Sequence, residues 1–276
     1  MIRGIITDID GVMIGDKIGY NTPNPHSDVV KRITYIHKRG IPIILATGKP
    51  HYAIGKIIED CALDNPHVTD GGAILFDKIV IKKHVIDPAV ISALVETFIT
   101  NNMYVEFYTE KGYFIQRSQI RDNLTPVHTH ILQTPPIIVE NLTIESTKHD
   151  VIKIVPIATD PTDEQRIHSL SAPYLSRIML AITVHPIANP HRFGIITAPD
   201  VSKKQSAIDA AEPLGIPLSD YLGIGDSTSD WSFMQLCGAT ATVSNGSQEL
   251  KKLVTYISPK SVDENGILDI LNHFKL

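Results

Sequence analysis

Ile5-Ile6-Thr7-Asp8-Ile9-Asp10-Gly11-Val12 is the stretch on which the fold turns. The apolar run from Ile2 to Ile6 predicts a strand buried on both faces, and it ends in two acids spaced two apart and followed by glycine. Open parallel sheets gather their ligands at such carboxyl ends. Moving outward, helical spacing over Ser27 to Lys38 and a second buried run, Ile41 to Ala46, complete a parallel βαβ unit.

The last third repeats that style. A helix is predicted over Lys204 to Ala211, a strand over Tyr221 to Gly225 and a helix over Asp230 to Cys237. A strand near Ala239 to Val243 and helices near Gln248 to Val254 and Glu264 to Phe274 follow. Apolar strands between helices imply an α/β fold with a doubly wound, Rossmann-like parallel sheet covered on both faces.

The middle reads differently. Asp87-Pro88 starts a helix with Ile91, Leu94, Val95, Phe98 and Ile99 on one stripe. Strand-like runs follow at Met103 to Thr109 and Tyr113 to Arg117, then a poorly patterned stretch from Ser118 to His149. The strand Val151 to Ile157, a helix over Thr162 to Leu170 and strands over Arg177 to His185 and Phe193 to Thr197 complete it. Consecutive strands with few helices predict an inserted α+β domain over 84–198, splitting a core of 1–83 and 199–276.

Composition narrows the function. The 276 residues are 43% hydrophobic and 20% charged, as in globular proteins. A formal charge of -5, with no basic block, argues against nucleic acid as a partner. Two cysteines, Cys61 and Cys237, are too few for a disulfide framework or a four-cysteine zinc site and point to a reducing, cytoplasmic setting. The start of the chain does not read as a signal peptide, and no apolar run reaches the roughly 18 residues of a spanning helix, so no membrane partner is expected.

Three strand ends carry the chemistry. The first ends in Asp8 and Asp10; the second ends Ala46-Thr47-Gly48-Lys49, offering a hydroxyl and glycine amides; the late one ends Gly225-Asp226-Ser227-Thr228-Ser229-Asp230. Each alone also reads as a turn or helix cap. In a parallel sheet, Asp8, Asp10, Thr47, Asp226 and Asp230 converge on one rim. Clustered carboxylates repel by roughly 3 kcal/mol per pair at an effective dielectric near 20, so they call for a cation or raised pKa values. All-oxygen ligands favour Mg²⁺ over zinc.

In this order the motifs resemble those of the haloacid dehalogenase-like phosphohydrolases. Asp8-Ile9-Asp10-Gly11-Val12 is similar to the family's first motif and Ala46-Thr47-Gly48-Lys49 to its second. Ser202-Lys203-Lys204-Gln205-Ser206-Ala207-Ile208 resembles the third, and Gly225-Asp226-Ser227-Thr228-Ser229-Asp230 the fourth. The insert falls where the Cof-type subgroup places its larger cap, of the C2 type, and Asp70-Gly71-Gly72-Ala73 resembles that subgroup's Asn-Gly-Ala turn.

The resemblance implies a phosphoaspartyl mechanism. Asp8 would attack phosphorus, and Asp10 would protonate the leaving group and then deprotonate water. Thr47, Gly48 and Ser229 would hold the phosphoryl group, with Ser229 standing where relatives usually carry Asn. Of the adjacent Lys203 and Lys204, the latter is three before Ala207, as the family lysine is before its Ala-Leu pair; the resemblance so assigns phosphate binding to Lys204. Asp8, the carbonyl of Asp10, and Asp226 would bind Mg²⁺, and Asp230 would bind it through water or orient the lysine. Lys49 and Val12 replace the Arg and Thr frequent in relatives.

The implied function is Mg²⁺-dependent hydrolysis of a small phosphorylated metabolite, a sugar phosphate or similar monoester, by a monomer or homodimer. A sugar phosphomutase and a non-catalytic binding protein are the alternatives. His128-x-His130, placed on one face of a strand, offers a metal pair without a third ligand. The aromatic run Tyr104, Phe107, Tyr108, Tyr113 and Phe114 reads as sheet packing rather than a sugar pocket.

Overall fold

A computed structural model describes residues 1–183, 185–188 and 190–276. In chain order the elements are β1 (Gly4–Thr7), α1 (Ser27–Lys38), β2 (Ile43–Leu45), α2 (His51–Asp60), β3 (His67–Thr69), β4 (Ile74–Asp77) and β5 (Ile79–Lys83). Then come α3 (Pro88–Thr100), β6 (Tyr104–Thr109), β7 (Gly112–Gln116), α4 (Thr125–Leu132), β8 (Ile137–Val139), α5 (Leu142–Ser146), β9 (Lys153–Ala158), α6 (Pro161–Ser171), β10 (Met179–Thr183) and β11 (Arg192–Thr197). The chain closes with α7 (Lys203–Ala211), β12 (Tyr221–Ile224), α8 (Trp231–Met234), β13 (Ala239–Thr242), α9 (Gln248–Lys251), β14 (Tyr256–Ile257) and α10 (Gly266–His273). Two compact units result: Met1–Ile81 with Ser202–Leu276, and Lys82–Val201.

The first unit is built on a five-stranded parallel sheet of order β14-β13-β12-β1-β2. Its α/β, doubly wound character explains why the strands read as unbroken apolar runs. Along β1, Ile5 packs with Val29, Ile33 and Ile36 of α1 and with α10, while Ile6 faces the opposite layer with Ala207 and Ala210 of α7 and Phe233 of α8. Both are fully buried, each contributing about 2 kcal/mol by leaving water. A short three-stranded sheet, β3-β4-β5, which the sequence pattern did not announce, follows α2.

The second unit carries a six-stranded sheet, β10-β11-β9-β6-β7-β8, antiparallel except for the β7–β8 pair. Asp87 caps α3 by accepting the Ala89 N–H at 2.9 Å, as Asp-Pro suggests. Val90, Ile91, Leu94, Val95 and Phe98 of that helix pack with Val105 and Phe107 of β6. The alternate residues of β6, Tyr104, Glu106 and Tyr108, are buried as well. Glu106 accepts from both tyrosine hydroxyls at 2.8 Å and lies 3.0 Å from His128 Nδ1.

One expectation is corrected here. His128 and His130 lie on helix α4, not on a strand, so a spacing of two turns them about 200° apart rather than onto one face. Pro126 in the helix's first turn, where its missing N–H costs nothing, is the signal the strand reading overlooked. Among the described residues no helix is long and apolar enough to cross a membrane.

Candidate active site

The rim at the carboxyl end of the parallel sheet is built by three loops and one helix. Asp8 follows β1 directly, its N–H donating to the Ile224 carbonyl at 2.9 Å, so the first loop is tied to the end of β12. Gly11 makes the turn possible twice over: its φ is +80°, and a Cβ there would sit 2.0 Å from Asp226 Oδ2. Thr47, 1% exposed, accepts the Lys49 N–H at Oγ1 over 3.1 Å, leaving its hydroxyl proton to donate. The turn at Asp70–Gly72 fixes that loop, with Asp70 N–H on the Lys49 carbonyl and Gly71 N–H on the Thr47 carbonyl. Gly72, with φ +107°, lets this turn lie against the Ser202 backbone.

Asp8, Asp226 and Asp230 each bring a carboxylate oxygen within 4.8 Å of the others. Lys203 Nζ lies 2.7 Å from Asp230 Oδ1 and 3.3 Å from Asp8 Oδ1. The other oxygen of Asp230, a fully buried residue, accepts from the Asp226 N–H, the Ser227 N–H and the Ser227 hydroxyl. Asp230 is thus saturated by donors and holds both the lysine and the turn. Asp10 stands outside that trio, its Oδ1 3.3 Å from Lys49 Nζ. Ser229 and Gly48 are exposed, and the Ser229 hydroxyl meets that of Ser227 at 2.8 Å.

The lysine expectation is corrected: Lys203, not Lys204, enters the cluster. Lys203 starts α7 on the same stripe as the buried Ala207, Ala210 and Ala211, at intervals of four, seven and eight, whereas Lys204 is turned 100° away and exposed. That helical phase, rather than distance to one alanine, was the readable signal. Lys49 is the residue to which sequence reasoning gave no role. A cation directly after a Thr-Gly turn at a strand end was the available clue.

Electrostatics leave the cluster unbalanced. Burial pushes the Asp8 carboxyl well above its ordinary value; Asp230, Asp226 and Asp10 add to this, against Lys203. Burial and then Asp230 push Asp226 up to about 7. For Lys203, burial opposes the charge, but Asp230 and Asp8 outweigh it and raise the ammonium pKa. Four carboxylates against two ammonium groups leave a formal surplus of two negative charges. A divalent cation removes that surplus, and the oxygen donors of Asp8 and Asp226 suit Mg²⁺.

A doubly wound sheet with this acid and lysine rim fits the hydrolase class. The chain belongs to the haloacid dehalogenase-like hydrolases, whose family model matches residues 5–271. Among solved structures it is similar to a haloacid dehalogenase-like hydrolase from Bacteroides thetaiotaomicron, with a TM-score of 0.85 at 18% identity, covering 99% of this chain and 100% of that one. A subclass IIB sugar phosphatase gives a TM-score of 0.80 at 19% identity, with 99% of each chain covered. The 5-amino-6-(5-phospho-D-ribitylamino)uracil phosphatase YwtE of Bacillus subtilis (strain 168) is 23% identical, with 96% of each chain covered.

Proposed function

We propose that the protein is a Mg²⁺-dependent phosphatase of small phosphate monoesters, sugar phosphates or related metabolites, acting through a phosphorylated Asp8. The observation that carries this reading is the convergence of Asp8, Asp226, Asp230 and Lys203, from three distant parts of the chain, on one point of the rim. Two similar proteins, one a sugar phosphatase and the other acting on a phosphoribityl compound, support the substrate class.

A carboxylate oxygen of Asp8 forms a bond to phosphorus as the bond from phosphorus to the ester oxygen breaks, and Asp10 gives its proton to the departing oxygen. Water then attacks the same phosphorus, Asp10 takes the water's proton, and the bond to Asp8 breaks to release phosphate. Lys203 neutralises charge on the phosphoryl oxygens and is aimed by Asp230. The Thr47 hydroxyl and the Gly48 backbone bind one of those oxygens, with the shorter Ser229 on another. Lys49 holds Asp10 at the rim. Asp8, Asp226 and the Asp10 carbonyl would hold Mg²⁺, which would supply Lewis-acid neutralisation of charge on the phosphoryl oxygens, with Asp230 close by to bind it through water or keep the lysine oriented. Residues 84–198 take the role of the substrate-selecting cap.

The test is hydrolysis of p-nitrophenyl phosphate with and without Mg²⁺. Asp8→Asn is expected to lose at least about 10³-fold in kcat, the scale of removing a covalent nucleophile. Equal rates for wild type and variant would exclude Asp8 as the nucleophile.

A further inference from the structure

Asn245 lies on the turn after β13, outside every motif considered above, yet it bridges two segments of the first unit. Its Nδ2 donates to the Gly11 carbonyl at 2.9 Å, and its Oδ1 accepts the Val262 N–H at 2.7 Å. Because a carbonyl can only accept and an N–H can only donate, these partners fix which end of the amide faces which segment. Two residues on, the Ser247 N–H donates to the Asp226 carbonyl at 2.8 Å. One short turn therefore grips the loop of Asp8 and Asp10 with a side chain and the loop of Asp226 with its backbone.

The turn is itself rigidly built. A Cβ at Gly246 would meet Thr242 Oγ1 at 2.2 Å, and that hydroxyl donates to the Gly225 carbonyl at 2.7 Å, directly before Asp226. Gly11, the residue that Asn245 holds, is also the one packed against Asp226 Oδ2. Movement of the Gly11 carbonyl changes the separation of the carboxylates on the two loops. Like charges drive these loops apart when no cation is bound, and a tether across them limits the reorganisation that cation binding requires.

We propose that Asn245 is a positioning residue that clamps the first loop to the fourth and so sets the affinity of the carboxylate cluster for Mg²⁺; this rests on the reading of that cluster as a Mg²⁺ site. No contact of Asn245 with substrate is involved. Asn245→Ala tests it without adding charge, while Asn245→Asp keeps the acceptor for Val262 but replaces the donor to Gly11 with an oxygen that repels that carbonyl.

The experiment titrates MgCl₂ into the substrate-free full chain by calorimetry, and separately measures the Mg²⁺ concentration giving half-maximal p-nitrophenyl phosphate hydrolysis. Asn245→Asp and Asn245→Ala are both expected to raise the Mg²⁺ dissociation and activation constants at least about tenfold, with much of kcat recovered at saturating Mg²⁺. A lowered melting temperature with unchanged Mg²⁺ constants would make Asn245 structural only and overturn the proposal. Asp226→Asn serves as the reference variant. Wild-type binding that Asp226→Asn abolishes but the uncharged Asn245→Ala leaves intact overturns the clamp alone, while a wild type that binds no Mg²⁺ overturns the site reading and the clamp together.

Discussion

The two units each bury carboxylates, and they stabilise them in opposite ways. In the second unit Glu106, fully buried, is surrounded by the Tyr104 and Tyr108 hydroxyls and the His128 imidazole. In the first unit Asp8 and Asp226 face other carboxylates and too few cations. A buried carboxylate with its own donors is finished architecture, whereas carboxylates gathered in excess of their donors leave charge that a bound cation would neutralise. Burial alone does not separate the two cases; the count of donors does.

Substitutions break this comparison in opposite directions. The largest effect is expected at the lysines: Lys203→Ala should reduce kcat for p-nitrophenyl phosphate by about 10³-fold or more, while Lys204→Ala stays within about twofold. A reversed ranking in that assay would restore Lys204 to the site. Next, Glu106→Ala removes the carboxylate that two tyrosine hydroxyls and an imidazole share. It should lower unfolding free energy by about 3 kcal/mol in urea titrations of the full chain. Asp226→Asn should do the reverse in metal-free buffer at pH 8, raising stability by about 1 kcal/mol as it relieves like-charge repulsion and ends the response to Mg²⁺. Loss of stability in both variants would show that the Asp226 cluster is structural too.

A third buried group gives a pH signature. Burial, then the nearby His37, lowers the His67 pKa to about 3, and its Nδ1 accepts the Leu45 N–H at 3.2 Å in the neutral form. The unfolded chain takes up this proton near the ordinary value of about 6.5, so stability from neutral His67 is complete above that pH and falls as pH drops towards 3. The slope is at most about 1.4 kcal/mol per pH unit, or about 2 kcal/mol between pH 6.5 and 5. His67→Gln should flatten urea midpoints over that interval. A variant whose midpoints fall as steeply as wild type would assign the proton uptake elsewhere.

Legibility in the sequence follows from how each feature is held. The core strands were readable because sheet faces covered on both sides demand uninterrupted apolar residues, as Ile5-Ile6 and Ile43-Ile44-Leu45 show. The acids at their ends were readable because turns there are short and charged. The lysine was readable only to within one position, since Lys203 and Lys204 differ by a helical phase that a spacing rule ignores. The stretch 118–149 was not readable. Its helices α4 and α5 are short, and in α4 the polar His128, on Glu106, interrupts the buried stripe of Leu124, Ile131 and Leu132. Asn245 was invisible because its partners are backbone groups at Gly11 and Val262, and backbone partners leave no residue signature.

The strand order has a consequence for synthesis. β1 lies between β2 and β12, and beside it Arg3 pairs with Asp220, 217 residues further along. On the ribosome, the first strand must wait for the last third of the polypeptide before one of its edges is closed. The emerging chain therefore carries an unpaired apolar edge through most of translation, a state that invites aggregation and makes slow, late maturation the expected course.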